Sequence, residues 1–230
     1  MAGAGKKTFT AGEVLTASDV NTYLMEQSVM VFGGTAARSS AIPTPSEGMT
    51  TYRTDTQQIE SYDGANWIGM SGLQLIKKQT IGSGVSSVTV TSAFSATYEN
   101  YKILVSGGVA STGNYSLTTL GSTATGYSQK SWYGSYSDNT VAGAGYSAST
   151  SWVGQLKGST SALNCNIDLI GPFLSKPTGI DYQTKQYAGG GIVESGSGFL
   201  NDTTSYTAIT FTTNTGTWTG GTIYVYGYGV

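Results

Sequence analysis

The chain has 230 residues, 11 basic and 13 acidic side chains for a net charge of −2, and no histidine. The basic pairs Lys6-Lys7 and Lys77-Lys78 stand alone, so the clustered cations that track a phosphate backbone are missing and nucleic acid is not an expected partner. No apolar run reaches the roughly 20 residues of a membrane-spanning helix, and residues 1–7 lack the apolar stretch of a signal peptide, so neither membrane insertion nor signal-directed export is expected.

Only 10% of residues are charged, against 33 glycines and 16 tyrosines. Thr, Tyr and Val suit half-buried pleated strands and Gly, Ser and Asn suit turns, so the chain reads as mainly β. Its low charge and many aromatic residues are the reverse of a disordered chain.

In chain order, residues 1–34 read as an attachment tail and a helix. Thr16 and Asp19 form a capping-box start, and Val20, Tyr23, Leu24, Met30 and Val31 recur at helical spacing before Gly33-Gly34. Such an amphipathic helix needs a surface to pack on, either its own domain or a docking partner. Residues 35–75 follow as a small β meander. After the extended Ile42-Pro43-Thr44-Pro45 come strands at Met49–Arg53, Ile59–Tyr62 and Asn66–Met70, with a tight turn at Asp63-Gly64. Three short strands bury little area, so the unit should need a neighbour or copies of itself.

Residues 76–230 read as an antiparallel, jelly-roll-like β-sandwich. Strands are expected at 85–91, 100–106, 115–120, 151–157, 163–170, 180–187, 189–194, 206–212 and 222–228. Cys165 alternates with Leu163, Ile167 and Leu169 and reads as a buried apolar side chain. Residues 121–150 read as a long loop region carrying Trp132, Tyr133, Tyr136 and Tyr146, the expected functional surface together with Trp152. In the last strand Ile223 and Val225 should face the core, and Tyr224, Tyr226 and Tyr228 a subunit contact.

The absence of histidine removes His-based nucleophilic triads and the common catalytic zinc sites. Asp168, Asp181 and Glu194 are candidate carboxylates for glycoside cleavage, but no motif joins them and solvated strand carboxylates are the simpler expectation. Asp63 and Asn66 match no calcium loop, and no phosphate-cradling glycine loop precedes a helix. No catalytic residue, cofactor or metal is therefore expected.

The segment from Phe9-Thr10-Ala11-Gly12-Glu13-Val14-Leu15 through Val31-Phe32 resembles the N-terminal attachment segment of bacteriophage virion fibre proteins. Ile42–Met49, Thr54-Asp55-Thr56, Ile59–Tyr62 and Trp67 are similar to the small β module that follows it there. Phe94–Tyr101 and Gly220–Tyr228 resemble fibre ends. The resemblance implies a homotrimeric appendage of the phage tail or capsid exterior, made in the bacterial cytoplasm. It would anchor to another phage structural protein through Phe9, Val14, Leu15, Val20, Tyr23 and Leu24. Met30, Val31, Tyr224, Tyr226 and Tyr228 would lie in subunit contacts. Trp132, Tyr133, Tyr136, Tyr146 and Trp152 would grip host surface glycans by ring stacking. A capsid-bound head fibre or decoration protein and a polysaccharide-cleaving spike are the competing expectations.

Overall fold

The computed structural model describes residues 10–21, 28–70, 72–137, 139–187 and 191–228. They fall into two compact units that divide between Gly72 and Leu73.

In the first unit the capping box forms as expected. Thr16 Oγ1 accepts from the Asp19 amide at 3.1 Å and Asp19 Oδ2 accepts from the Thr16 amide at 3.2 Å, starting α1 (Ala17–Val20). Val14 and Leu15 are exposed and Val20 is half-buried; Phe9, Tyr23 and Leu24 lie outside the described residues. Met30 and Val31 do not extend this helix. They sit in β1 (Met30–Phe32), which pairs in parallel with β2 (Thr50–Arg53), because a short apolar run fits a strand as well as a helical stripe. The seven-residue α2 (Thr35–Ala41) follows β1, and β2 continues antiparallel into β3 (Gln58–Tyr62) and β4 (Trp67–Gly69). The three expected strands are thus part of a four-stranded mixed sheet.

The buried interior of this small sheet is polar. Thr51 and Glu60 are cross-strand partners, and Arg38 from α2 forms an ion pair with Glu60 while its guanidinium lies 4.5 Å from the Trp67 ring centroid. Arg53 also reaches Glu60 at 3.0 Å. Burial pulls the Arg38 pKa below its ordinary value, with Glu60 opposing. The alternate row of the sheet is apolar and faces solvent: Val31 pairs with Tyr52 and Tyr52 with Ile59, and the Met70 amide bonds to the Ile59 carbonyl at 2.9 Å. Val31, Ile59 and Met70 are 64%, 44% and 70% exposed.

The second unit contains β5 (Leu73–Thr80), β6 (Ser87–Val90), β7 (Asn100–Ser106), β8 (Val109–Ala110), β9 (Asn114–Leu120), β10 (Tyr127–Ser135) and β11 (Val141–Ser149). It continues with β12 (Trp152–Gly158), β13 (Leu163–Ile170), β14 (Thr178–Gln186), β15 (Ile192–Leu200), β16 (Ile209–Thr213), β17 (Trp218–Thr219) and β18 (Thr222–Tyr228). Twelve of them form one antiparallel sheet, ordered β11-β10-β15-β14-β13-β12-β9-β16-β6, with β7, β18 and β5 branching in that order from β13. The branch arises because β13 shares one edge between two partners: Leu163–Cys165 pair with β12 and Cys165–Ile170 with β7. β8 and β17 make a separate ladder.

Burial alternates along β6, β7, β13, β16 and β18, as period-2 pleating requires. The buried residues of all these strands join one core built on Trp152, Trp218, Tyr101, Tyr127, Phe211, Ile167 and Leu169. Cys165 is a free, buried thiol in that core, and burial pushes its pKa up. Residues 121–150 are not a long loop: they fold mostly as the β10–β11 hairpin, with Trp132 opposite Gly143 and Gln129 opposite Tyr146. The two strands of the hairpin hold a single β-branched residue, Val141, and hairpin pairing overrides their weak local propensity.

Candidate functional site

The hairpin divides the aromatic residues that the sequence groups together. Trp152 is fully buried, edge-on to Tyr127 with centroids 5.0 Å apart, and its Nε1 donates to the Phe199 carbonyl at 3.3 Å. It is a core residue and not part of a glycan surface, since the strand that follows the hairpin turns it inward. Trp132 and Tyr133 are consecutive in β10 and so lie on opposite faces of the sheet. Tyr136 is exposed just beyond the end of β10, where its amide donates to the Gly191 carbonyl at 3.1 Å.

Tyr133 and Tyr146 come together on the inner face, and Tyr115 of β9 joins them. With Val153, Lys157 and Glu194 these rings line a cleft of about 220 Å³. The sequence marks Tyr115 only as the start of a strand and the middle of an Asn114-Tyr115-Ser116 pattern; its partnership depends on an irregularity in β12. There Trp152 and Val153 pair with Thr118 and Leu117, but the next paired residue is Lys157, opposite Tyr115, so β12 has two residues more than β9 over this interval. The resulting bulge starts at Gly154, whose φ of 91° favours glycine, and a Cβ there would stand 3.4 Å from Glu194 Oε1. Ser116 Oγ accepts the displaced Leu156 amide at 3.0 Å.

Because of the bulge, residues 154–158 are all buried and polar side chains enter the interior. Lys157 Nζ meets Glu194 Oε2 at 2.9 Å, with the two side chains 10% and 8% exposed. Tyr182 donates its hydroxyl to Glu194 Oε1 at 2.8 Å, and Gln129 Nε2 donates to that hydroxyl oxygen at 3.2 Å. Gln129 Oε1 in turn accepts from the Val153 amide at 2.7 Å and from Gln155 Nε2 at 3.1 Å. Burial raises the pKa of the Tyr182 and Tyr146 phenols, with the neighbouring Glu194 carboxylate adding to the effect, so both stay neutral donors in the physiological range. Lys157 Nζ also lies 5.7 Å from the Tyr115 ring centroid. The cleft therefore offers flat aromatic walls over a charged but internally neutralised floor. Its volume is below the roughly 300–1,000 Å³ of drug-sized sites, which suits one small ring.

The candidate carboxylates are split between faces. Asp168 and Asp181 are cross-strand partners on the outer face, whereas Glu194 points inward. Asp168 is already engaged by Lys102 Nζ at 2.8 Å and by the Tyr228 hydroxyl. Among the described residues no three Asp, Glu or Cys side chains gather to hold a metal ion.

The last strand has the two faces its alternation predicts. Ile223 and Val225 are in the core, while Tyr224 and Tyr226 stack outside at 6.3 Å and 18°, and Tyr228 is exposed. Comparison of the chain with protein-family models, curated proteins and solved structures found no match. The site is accordingly read from its own geometry.

Proposed function

We propose that this chain is a non-enzymatic structural subunit of a bacteriophage particle, a homotrimeric tail fibre or spike protein that presents its large β unit to host surface glycans. The observation that carries the binding role is the cleft of Tyr115, Tyr133 and Tyr146 above the Lys157–Glu194 pair. Aromatic faces take up the apolar face of a sugar ring, while neutral phenols and a satisfied ion pair offer hydrogen bonds without demanding a charged ligand. The exposed Val14 and Leu15 suit insertion into another virion protein, in keeping with the resemblance of the surrounding segment. The apolar row Val31, Tyr52, Ile59 and Met70 suits burial against two further copies about a threefold axis.

The test is binding of host surface polysaccharide fragments to the whole protein. Tyr133→Ala and Tyr146→Ala should each weaken binding about tenfold or more, equivalent to about 1.4 kcal/mol. Unchanged affinity in both variants would remove the cleft from the function, and shortened polysaccharide products would instead indicate a cleaving spike. A cryo-electron-microscopy map of the intact particle tests the location: density at the tail supports a receptor-binding fibre, and density on capsomers a head fibre.

A further inference from the structure

The outer face of the large sheet carries a second groove, separated from the tyrosine cleft by the sheet itself. Five adjacent strands, β7, β13, β14, β15 and β10, bring two cross-strand rows together there. One row runs Lys102, Asp168, Asp181, Ser197 and Lys130; the other runs Leu104, Asn166, Gln183, Ser195 and Trp132. All of these residues but Leu104 and Lys130 line a groove of about 380 Å³.

Three features of this face point to a ligand. The side chains of Asp181, Gln183, Ser195 and Ser197 make no hydrogen bond or ion pair with other described residues, and Asn166 Oδ1 is buried with no donor. Hydrogen-bonding capacity is therefore unspent along a continuous line. Trp132 ends that line at 57% exposure, and its partner on β11 is Gly143, so no side chain across the strand covers the indole. The groove's lining carries one lysine and two aspartates, and Lys102 is already paired with Asp168 at 2.8 Å, which leaves the Asp181 carboxylate to accept from a ligand. That carboxylate disfavours an anionic ligand, while a neutral one rich in hydroxyls finds donors and acceptors throughout.

We propose that the groove binds a segment of a neutral polysaccharide chain, one ring stacked on Trp132 and the following rings hydrogen-bonded by Ser195, Ser197, Asp181, Gln183 and Asn166. From β10 to β7 is four strand spacings, about 19 Å, so the occupant is a chain of several rings and not a monosaccharide. The inference rests on the glycan-binding reading above and adds to it a second, chain-length-dependent site on the opposite face of the same hairpin.

The experiment uses the full-length protein labelled for indole N–H detection by NMR, titrated with neutral gluco- and manno-oligosaccharides from monosaccharide to hexasaccharide. The Trp132 signal, assigned by its loss in Trp132→Ala, should shift with the hexasaccharide and not with the monosaccharide. Trp152 and Trp218 are wholly buried and serve as internal controls. Gly143→Val is the blocking variant: a Cβ at that position meets only the Ser131 carbonyl oxygen, at 3.6 Å, so the side chain fits and covers the indole. It should reduce hexasaccharide binding at Trp132 at least tenfold, whereas Tyr133→Ala should leave that binding unchanged. A Trp132 signal that no oligosaccharide moves overturns the inference; if cleft binding survives in the same protein, the glycan-binding reading stands without it. Equal binding of monosaccharide and hexasaccharide overturns it too. So does loss of oligomeric state in Trp132→Ala, which would make the face a subunit contact.

Discussion

Glu194→Gln probes the floor of the tyrosine cleft directly. Two donors converge on that carboxylate, Lys157 Nζ at 2.9 Å and the Tyr182 hydroxyl at 2.8 Å, each on its own oxygen. A glutamine keeps one acceptor and replaces the other with an NH2 group, so one donor is left facing a donor. Both side chains of the ion pair are almost entirely shielded from water. Removing one partner of such a pair leaves an uncompensated buried charge, at a cost of about 3–5 kcal/mol. For a domain of this size each kcal/mol moves the melting temperature by about 2–4 °C, so Tm should fall by about 6–20 °C. Lys157→Met/Glu194→Gln removes the orphaned ammonium as well, and the double variant should be more stable than Glu194→Gln alone. Urea and thermal unfolding of the wild type, the two single variants Glu194→Gln and Lys157→Met, and the double variant measure the coupling. Single-variant losses below about 1 kcal/mol, the range of exposed pairs, would refute the reasoning, as would purely additive effects.

Ile59→Lys places a charge in the exposed apolar row of the small sheet and should convert the proposed trimer to monomers in mass photometry, with the large unit still folded; a trimer that persists in this variant would move the subunit contact elsewhere. Residues 73–228 alone should fold cooperatively but fail to enter phage particles, as checked by circular dichroism and by complementation of a deletion phage, because the core residues described for this unit all follow Leu73. Tyr127 adds a pH dependence: burial raises its phenol to about 12 from 10.0, partly offset by the Leu120 amide that it accepts. The neutral form is the one that the fold favours, so this stability is intact below pH 10 and is lost as pH rises from 10 towards 12, by about 2–3 kcal/mol. Tyr127→Phe should flatten the loss between pH 10 and 12 in urea titrations, and an identical slope would remove Tyr127 as its source.

Most strands were legible in the sequence because their alternation is strict. Asn100–Ser106, Leu163–Ile170 and Thr222–Tyr228 are expected from alternation and found over the same residues, with Ile103, Ile167 and Ile223 inward. The hairpin was not legible, since Val141–Ser149 holds one β-branched residue besides Gly, Ala, Tyr and Ser, and its strand state comes from pairing with β10. Trp132 and Trp152 look alike in sequence, each following a Ser and standing two residues before a Gly. Only the register separates an exposed indole from a fully buried one. In the first unit Met30 and Val31 satisfied a helical spacing by coincidence, and parallel pairing with β2, a contact with residues about 20 positions away, decided the outcome. The same non-local origin hides Tyr115, which reaches Tyr133 and Tyr146 through the third dimension.

The location of the cleft follows from the one strand whose alternation breaks most clearly. Along β12 five consecutive residues are buried, an arrangement that a regular strand with one face in the core and the other in solvent cannot produce. The two additional residues, made possible by Gly154, turn Gln155 and Lys157 into an interior that a regular strand would have filled with apolar side chains. Such a change costs stability, because Gln155 Oε1 is left buried without a donor and a charge pair is withdrawn from water. The apolar cluster built on Trp152, Trp218, Tyr101, Phe211, Ile167 and Leu169 can carry that cost. This local departure from the rule obeyed by the neighbouring strands is held by Ser116, Gln129, Tyr182 and Glu194, and bulges of this kind are over-represented beside functional sites, in keeping with the proposed role of the cleft. If the cleft had no role, replacing Gly154, Gln155 and Lys157 with residues that restore the alternation would stabilise the protein at no cost to adsorption. The expected result is a more stable protein that no longer binds host glycan, measured by thermal unfolding and by phage adsorption on the same variant.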